Sequence, residues 1–232
     1  MALIKFGGGI TEMRGSMGGN TYSRNRMGAY LRARTKPVNP NTDRQAAVRA
    51  AMALLTDRWG QVLTALQRTA WNLYGANVVM TNKLAESINL TGFNHYIRSN
   101  QWLARVGAPT IDPGPTVFEI PTADPLFAVT ISEATNTWTV TFDDGMDWVS
   151  EDGAQMIMYN GSPQNAQRNF FGGPWRFMNS IAGNNGAPPA SPLDRGASFV
   201  YTEGQHAWCY ARIMRADGRL SAPFRADTFV TA

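Results

Sequence analysis

The stretch AVTISEATNTWTVTFDD, residues 128–144, alternates apolar and polar side chains on both sides of the turn SEATN. Successive side chains in a strand point to opposite faces, so Val129 and Ile131 share one face, with Trp138, Val140 and Phe142 inward across the turn. This predicts a hairpin with one buried face. The same alternation of strand and turn runs through AQMIMYNGSP (154–163), ASFVYTEGQ (197–205), HAWCYARIMRADGRLSAP (206–223) and FRADTFVTA (224–232). Together they predict an antiparallel β-sandwich over residues 126–232.

Upstream the period changes. APTIDPGPTVFEIPTADP (108–125) holds five prolines in eighteen positions and reads as a semi-rigid linker or an edge crossing, with the boundary taken at 111–125. Before it, residues 41–110 predict a small three-helix docking unit. Thr42 with Gln45 and Thr64 with Gln67 have the spacing of a capping box, in which a threonine hydroxyl and a glutamine side chain satisfy each other's free backbone N–H groups. A third start falls at Thr91, and Gly107 followed by Pro109 stops that helix. Residues 1–40 hold nine glycines and prolines and seven basic residues, with no helical period. They read as an extended basic arm, with alternation around Thr21–Arg26 compatible with a hairpin that needs another surface for order. The fold class expected is therefore α+β.

The 232 residues are 44% hydrophobic and only 16% charged, enough apolar surface for a core and low in charge for a monomer. No apolar run is long enough for a signal peptide or a bilayer span, which predicts a chain made and used without membrane insertion. Charge is divided unevenly. Residues 1–110 carry 14 basic and 4 acidic side chains, and residues 111–232 carry 7 and 13. That asymmetry suits an acidic partner: nucleic acid, an acidic protein surface, or the other half of a neighbouring copy.

The chemistry-bearing residues assemble no recognisable catalytic, cofactor or metal site. GGGITEMRGSMGG lacks the Lys-Ser/Thr that follows a phosphate loop. The acidic group DDGMDWVSED (Asp143, Asp144, Asp147, Glu151, Asp152) does not match a calcium loop and reads as a solvated turn. His95 and His206 fall in different predicted units, and the single cysteine, Cys209, points away from His206 and reads as a small core residue. No cofactor and no enzyme activity are expected. The loop RNFFGGPWRF (168–177) sets Phe171, Trp175 and Arg176 around Gly-Gly-Pro, either tucked over the sheets or exposed as an interface anchor. The interface residues named are these three with Arg24, Arg26, Arg32, Arg34 and Lys36 of the arm. Tyr22 and Tyr30 interleave the arm cations, so contact with a nucleic-acid backbone is an alternative. A glycan-binding or glycan-cleaving module using the aromatic loop is a third.

Residues 15–110 resemble a recurrent family of tailed-bacteriophage structural proteins. The pattern is R-x-R-x-x-P-x-N-P-x-T-x-x-Q-x-x-x-R, carried by Arg32, Arg34, Pro37, Asn39, Pro40, Thr42, Gln45 and Arg49. Trp59 follows, then L-T-x-x-Q-R-x-A-W through Thr64, Gln67, Arg68, Ala70 and Trp71, then a last helix with G-x-x-x-Y/F. YARIMRADGRLSAPF (210–224) is similar to the last hairpin of a fibronectin-III or immunoglobulin-like module, from which the insertion 170–196 departs. The resemblance implies a virion protein assembled in the host cytoplasm, with capsid or tail proteins and copies of itself as partners and no membrane. A head cement or decoration protein is the first expectation, and a tail, neck or baseplate position the next.

Overall fold

Three threonines open three helices in the computed structural model, which describes residues 2–36, 38–82 and 84–232. Helix α1 (Asp43–Asp57) is capped by Thr42, α2 (Ala65–Asn77) by Thr64 and α3 (Gly92–Val106) by Thr91. In the first two, Gln45 and Gln67 return the bond to the cap's own N–H, completing both boxes. Gly107 ends α3 at φ 72°, a left-handed conformation that glycine adopts without strain. A π-helical turn, Arg58–Val62, carries the chain from α1 towards α2, and the Arg68 guanidinium donates to the Trp59 and Gly60 carbonyls across that corner. The motif residues thus hold local geometry. Arg49, the seventh residue of α1, does the same, donating to Asn39 Oδ1 (2.7 Å) and Asn41 Oδ1 (3.1 Å) to clasp the joint that precedes the helix. Pro37 of the motif lies outside the described residues.

Leu55, Leu63, Trp71, Tyr74 and Tyr96 form the core of the helical unit. At Gly92 a Cβ would collide with the backbone at Trp71 and Asn72, so α3 can start against α2 only with no side chain there. Between α2 and α3 the chain makes a hairpin of β5 (Val79–Thr81) and β6 (Ser87–Asn89), which periodicity did not predict because three residues are too few to show a period of two. The proline-rich segment 111–125 contains no helix or strand and is tied to the helices. Asp112 receives the Arg58 guanidinium at 2.6 Å, its carbonyl accepts from the Trp71 indole at 2.9 Å, and Ile111 N donates to Asn100 Oδ1 at 2.6 Å.

The C-terminal unit is antiparallel. Strands β7 (Ala128–Ser132), β8 (Thr137–Thr141) and β11 (Leu193–Gly196) form one sheet in the order β11-β8-β7. The other comprises β9 (Gln155–Gly161), β10 (Trp175–Ala182), β12 (His206–Met214) and β13 (Phe224–Phe229), in the order β10-β9-β12-β13. Both sheets contribute to one buried cluster that includes Val129, Ile131, Trp138, Val140, Met156, Met158, Cys209 and Ile213. The strand inventory differs from the expectation in one region. Residues 197–205 are not a strand, and β10 and β11 come from the segment that read as an insertion. The reason lies in where the backbone bonds go: the Asn136 side chain takes the Tyr201 N–H and gives its own N–H to the Phe199 carbonyl, while Tyr201 plugs the core and donates to the Gly161 carbonyl. A side chain does there what a neighbouring strand would do.

Helix α3 joins the two units. Trp102 and Leu103 pack with Ile157, Met214 and Leu220, Arg98 donates to the Leu220 and Ser221 carbonyls at 2.9 and 2.8 Å, and Ser99 donates to the Gly218 carbonyl at 2.6 Å.

The first residues are paired into a sheet of their own. Strands β1 (Ala2–Leu3), β2 (Gly15–Met17), β3 (Asn20–Asn25) and β4 (Gly28–Ala33) form a sheet in the order β1-β4-β3-β2. Two-residue loops at Gly18-Gly19 and Arg26-Met27 set its register, and a glycine pair readily supplies the positive φ such turns require. None of its described side chains is buried, and Lys5 reaches Glu86 at 2.7 Å as an ion pair to the helical unit.

Candidate functional site

The four-stranded sheet of the C-terminal unit, β10-β9-β12-β13, turns one face to the core and the other outward, and the outward face is aromatic. The period of two in β12 sends Cys209, Ala211 and Ile213 inward and His206, Trp208, Tyr210 and Arg212 outward. Ring contacts then run across the sheet: Phe229 to His206 (4.5 Å), His206 to Trp208 (3.8 Å), Trp208 to Phe171 (5.7 Å) and Phe171 to Trp175 (4.9 Å). They continue from Trp175 to Tyr210 (4.9 Å), Tyr210 to Tyr159 (4.6 Å), Tyr159 to Phe177 (5.9 Å) and Phe177 to Trp102 of α3 (6.4 Å).

Over one end of this face α3 overhangs and leaves a cleft of about 460 Å³. Arg98, Arg212, Tyr159, Tyr210 and Trp102 line it with the apolar Met52 and Leu90, above the buried Ile97, Ile157 and Leu220, and among the described residues no carboxylate lines it. Burial, and after it the nearby Arg212 charge, push Arg98 down to about 10. Carboxylates pair with Arg14, Arg24, Arg58, Arg215 and Arg219, and Arg212 is not among these. A second hollow of about 670 Å³ lies beside Pro174, Trp175 and Phe177, walled by Arg44, Val48 and Arg49 of α1 and Arg105 of α3, again with no carboxylate in its lining. Tyr159 lines the first, and its ring lies 5.9 Å from Phe177 of the second. Burial raises its hydroxyl while Arg105 and Arg212 pull it the other way, so both cations act on one ring. Burial and then Tyr159 push Tyr210 up to about 12, and Arg225 lies over the Trp175 ring at 5.4 Å. Fixed cations over an apolar and aromatic floor can hold an anionic group and the apolar chain that carries it.

Of the residues named from sequence, Trp175 reaches this site. Arg176 also borders the second hollow, but its guanidinium sits over the Phe199 ring at 4.0 Å. Phe171 is corrected as an exposed anchor: it is 3% exposed, stacked on Trp208 and seated against Gly161, where a Cβ would strike its ring. The exposed ring of that loop is its neighbour Phe170, at 68%. Phe171 therefore ties the loop down, helped by His206, whose ring nitrogens face the Arg168 carbonyl at 2.8 Å and the Asp227 carboxylate at 2.7 Å. Arg24, Arg26, Arg32, Arg34 and Lys36 are exposed on or just after the N-terminal sheet, a separate basic surface.

The acidic group is partly structural. Glu151 pairs with Arg215, Asp152 accepts from Asn185 N, and Asp143 caps its own turn at Gly145 N. Cys209 is fully buried, which pushes its thiol up to about 12. His95 is buried edge-on to Tyr74 with its Nε2 unpaired. Among the described residues, no three His, Cys, Asp or Glu side chains stand close enough to hold a metal. Nothing in the local sequence around Arg98, Arg105, Arg212, Tyr159 and Tyr210 marks them together as a site. A signal did exist for part of the set: the outward positions of HAWCYARIM are aromatic and cationic where a solvated face would carry small polar residues.

No family model matches the chain, and no curated protein matches it. Among solved structures, an Fn3-like protein from Clostridium thermocellum is similar over 48% of this chain and 97% of its own length, at 9% identity and a TM-score of 0.28.

Proposed function

We propose that this chain is a structural component of a tailed-bacteriophage virion, assembled in the host cytoplasm and without catalytic activity. Its N-terminal sheet docks on a neighbouring subunit, and its C-terminal unit is an immunoglobulin or fibronectin-III-like sandwich displayed by the particle. The observation that carries this reading is the sheet of residues 2–33, in which no described side chain is buried. Ordering a residue costs about 1–2 kcal/mol, and burying a large apolar side chain returns about 1.5–3 kcal/mol. A sheet with no buried side chain has little to offset that cost, so a partner surface must supply it. Leu54, Leu66 and Leu73 support the same reading, since they stand exposed on α1 and α2 as the helices of a permanently assembled subunit do. The phage context comes from the motif resemblance. A head cement or decoration role is preferred, with a tail, neck or baseplate role second. The test is a stained gel of purified particles: hundreds of copies against the major capsid protein mean the shell, a handful mean tail or neck, and absence refutes the proposal.

A second reading has its own support. Residues 1–40 carry seven basic side chains against one acidic, with Tyr22 and Tyr30 among them, which suits a nucleic-acid backbone. Binding of random duplex DNA that falls steeply with salt, by a chain absent from particles, would favour it.

A further inference from the structure

We propose that the cleft between α3 and the outer face of the four-stranded sheet binds an acidic peptide segment of a partner protein, with Arg98 and Arg212 as its carboxylate-binding pair. This rests on the cleft alone and stands whether or not the chain is a virion component.

Two arginines share the cleft and no carboxylate lines it, although the chain carries 17 acidic residues. Like charges brought together in a partly buried site oppose each other and disfavour folding unless an anion arrives to satisfy both. Arg98 is already oriented: each terminal nitrogen donates to a carbonyl, of Leu220 and of Ser221, which fixes the guanidinium plane before any ligand is present. Arg212 lines the same cleft, its charge acts on Arg98, and no hydrogen bond or ion pair holds it among the described residues. The string of cations continues past Tyr159 to Arg105 and on to Arg44, so a chain leaving the cleft along the sheet meets further positive charge.

The floor decides between kinds of polyanion. Met52, 42% exposed, and the half-buried Leu90 offer apolar contact for the stems and apolar neighbours of acidic side chains, with Ile97, Ile157 and Leu220 buried beneath. A nucleic-acid strand would seek open aromatic faces for its bases. Here Tyr159 and Tyr210 are stacked on each other, 4.6 Å apart and 8° from parallel, and Arg225 covers Trp175. The rings are engaged, and the peptide is favoured.

The full chain is titrated calorimetrically at low salt with a Glu-Leu repeat peptide, its Gln-Leu counterpart and single-stranded oligo-dT. The Glu-Leu peptide binds and the Gln-Leu peptide does not. Arg212→Gln weakens binding about ten- to a hundredfold, the loss expected for charge-assisted hydrogen bonds, while the melting temperature stays level or rises. Arg195→Gln, an arginine of β11 that donates to its neighbour's carbonyl, leaves binding unchanged. Equal binding of the two peptides, or an Arg212→Gln variant that melts earlier yet binds normally, overturns the proposal. So does Arg212-dependent binding of oligo-dT without binding of the Glu-Leu peptide. Arg212-dependent self-association at low salt would make the occupant a second copy and also overturns it.

Discussion

Lowering the pH from 7.5 to 5 should weaken the helical unit through one side chain, His95. Its ring is buried edge-on to Tyr74, its Nε2 has no partner, and burial followed by the charge of Arg98 brings its pKa down from 6.5 to about 4. The unfolded ring takes up its proton near pH 6.5 and the folded ring only near pH 4, so the unfolded state binds more protons between those values. Stability is therefore lost as the pH falls through this window. At pH 5 the unfolded ring is nearly all charged and the folded one about a tenth charged, a loss of about 2 kcal/mol relative to pH 7.5, rising to about 3 kcal/mol below pH 4. For a chain of this size that is about 4–8 °C in melting temperature. The assay compares urea or thermal unfolding of the parent and His95→Phe at both pH values, because carboxylates elsewhere cancel in the difference. Phenylalanine keeps the edge contact with Tyr74 and has nothing to protonate, so the pH-dependent difference between the two proteins should be about 2 kcal/mol. A difference that does not change with pH would mean that His95 is not the group coupling protonation to unfolding.

Tyr201→Phe removes a buried bond to the Gly161 carbonyl and should cost about 1–3 kcal/mol by urea unfolding, with the native circular dichroism retained. Gly92→Ala forces a methyl into the backbone at Asn72 and should cost about 1–3 kcal/mol or prevent folding, whereas Gly60→Ala, with open space around it, should not. Arg49→Ala breaks the clasp on Asn39 and Asn41; its bonds are solvent-exposed and compete with water, so stability should fall by no more than about 1 kcal/mol while proteolysis near residues 38–42 accelerates.

What could be read in advance follows from how far apart in the chain each feature is written. A capping box needs a threonine and a glutamine three residues apart, so Thr42–Gln45 and Thr64–Gln67 announced their helices. The hairpin around SEATN was equally local. By contrast, β10 and β11 lie among glycines and prolines that hide their alternation, and whether 197–205 pairs with a strand depends on Asn136, more than sixty residues earlier. The cleft was the least visible. Arg98 and Arg212 belong to different units, and they meet only because Trp102 and Leu103 seat α3 against Ile157, Met214 and Leu220. Phe171 and Phe170 are indistinguishable by composition, and only the space beside Gly161 selects which ring goes in.

In the proposed virion role the N-terminal sheet is the part of the chain that needs a partner. Particles assembled with the full chain and with a chain lacking residues 1–36 test it most directly. The full chain should purify with the particles at a fixed copy number, and the truncated chain, folded by circular dichroism, should be missing from them. Equal incorporation of the truncated chain, or particles that purify without the full chain, would contradict the claim.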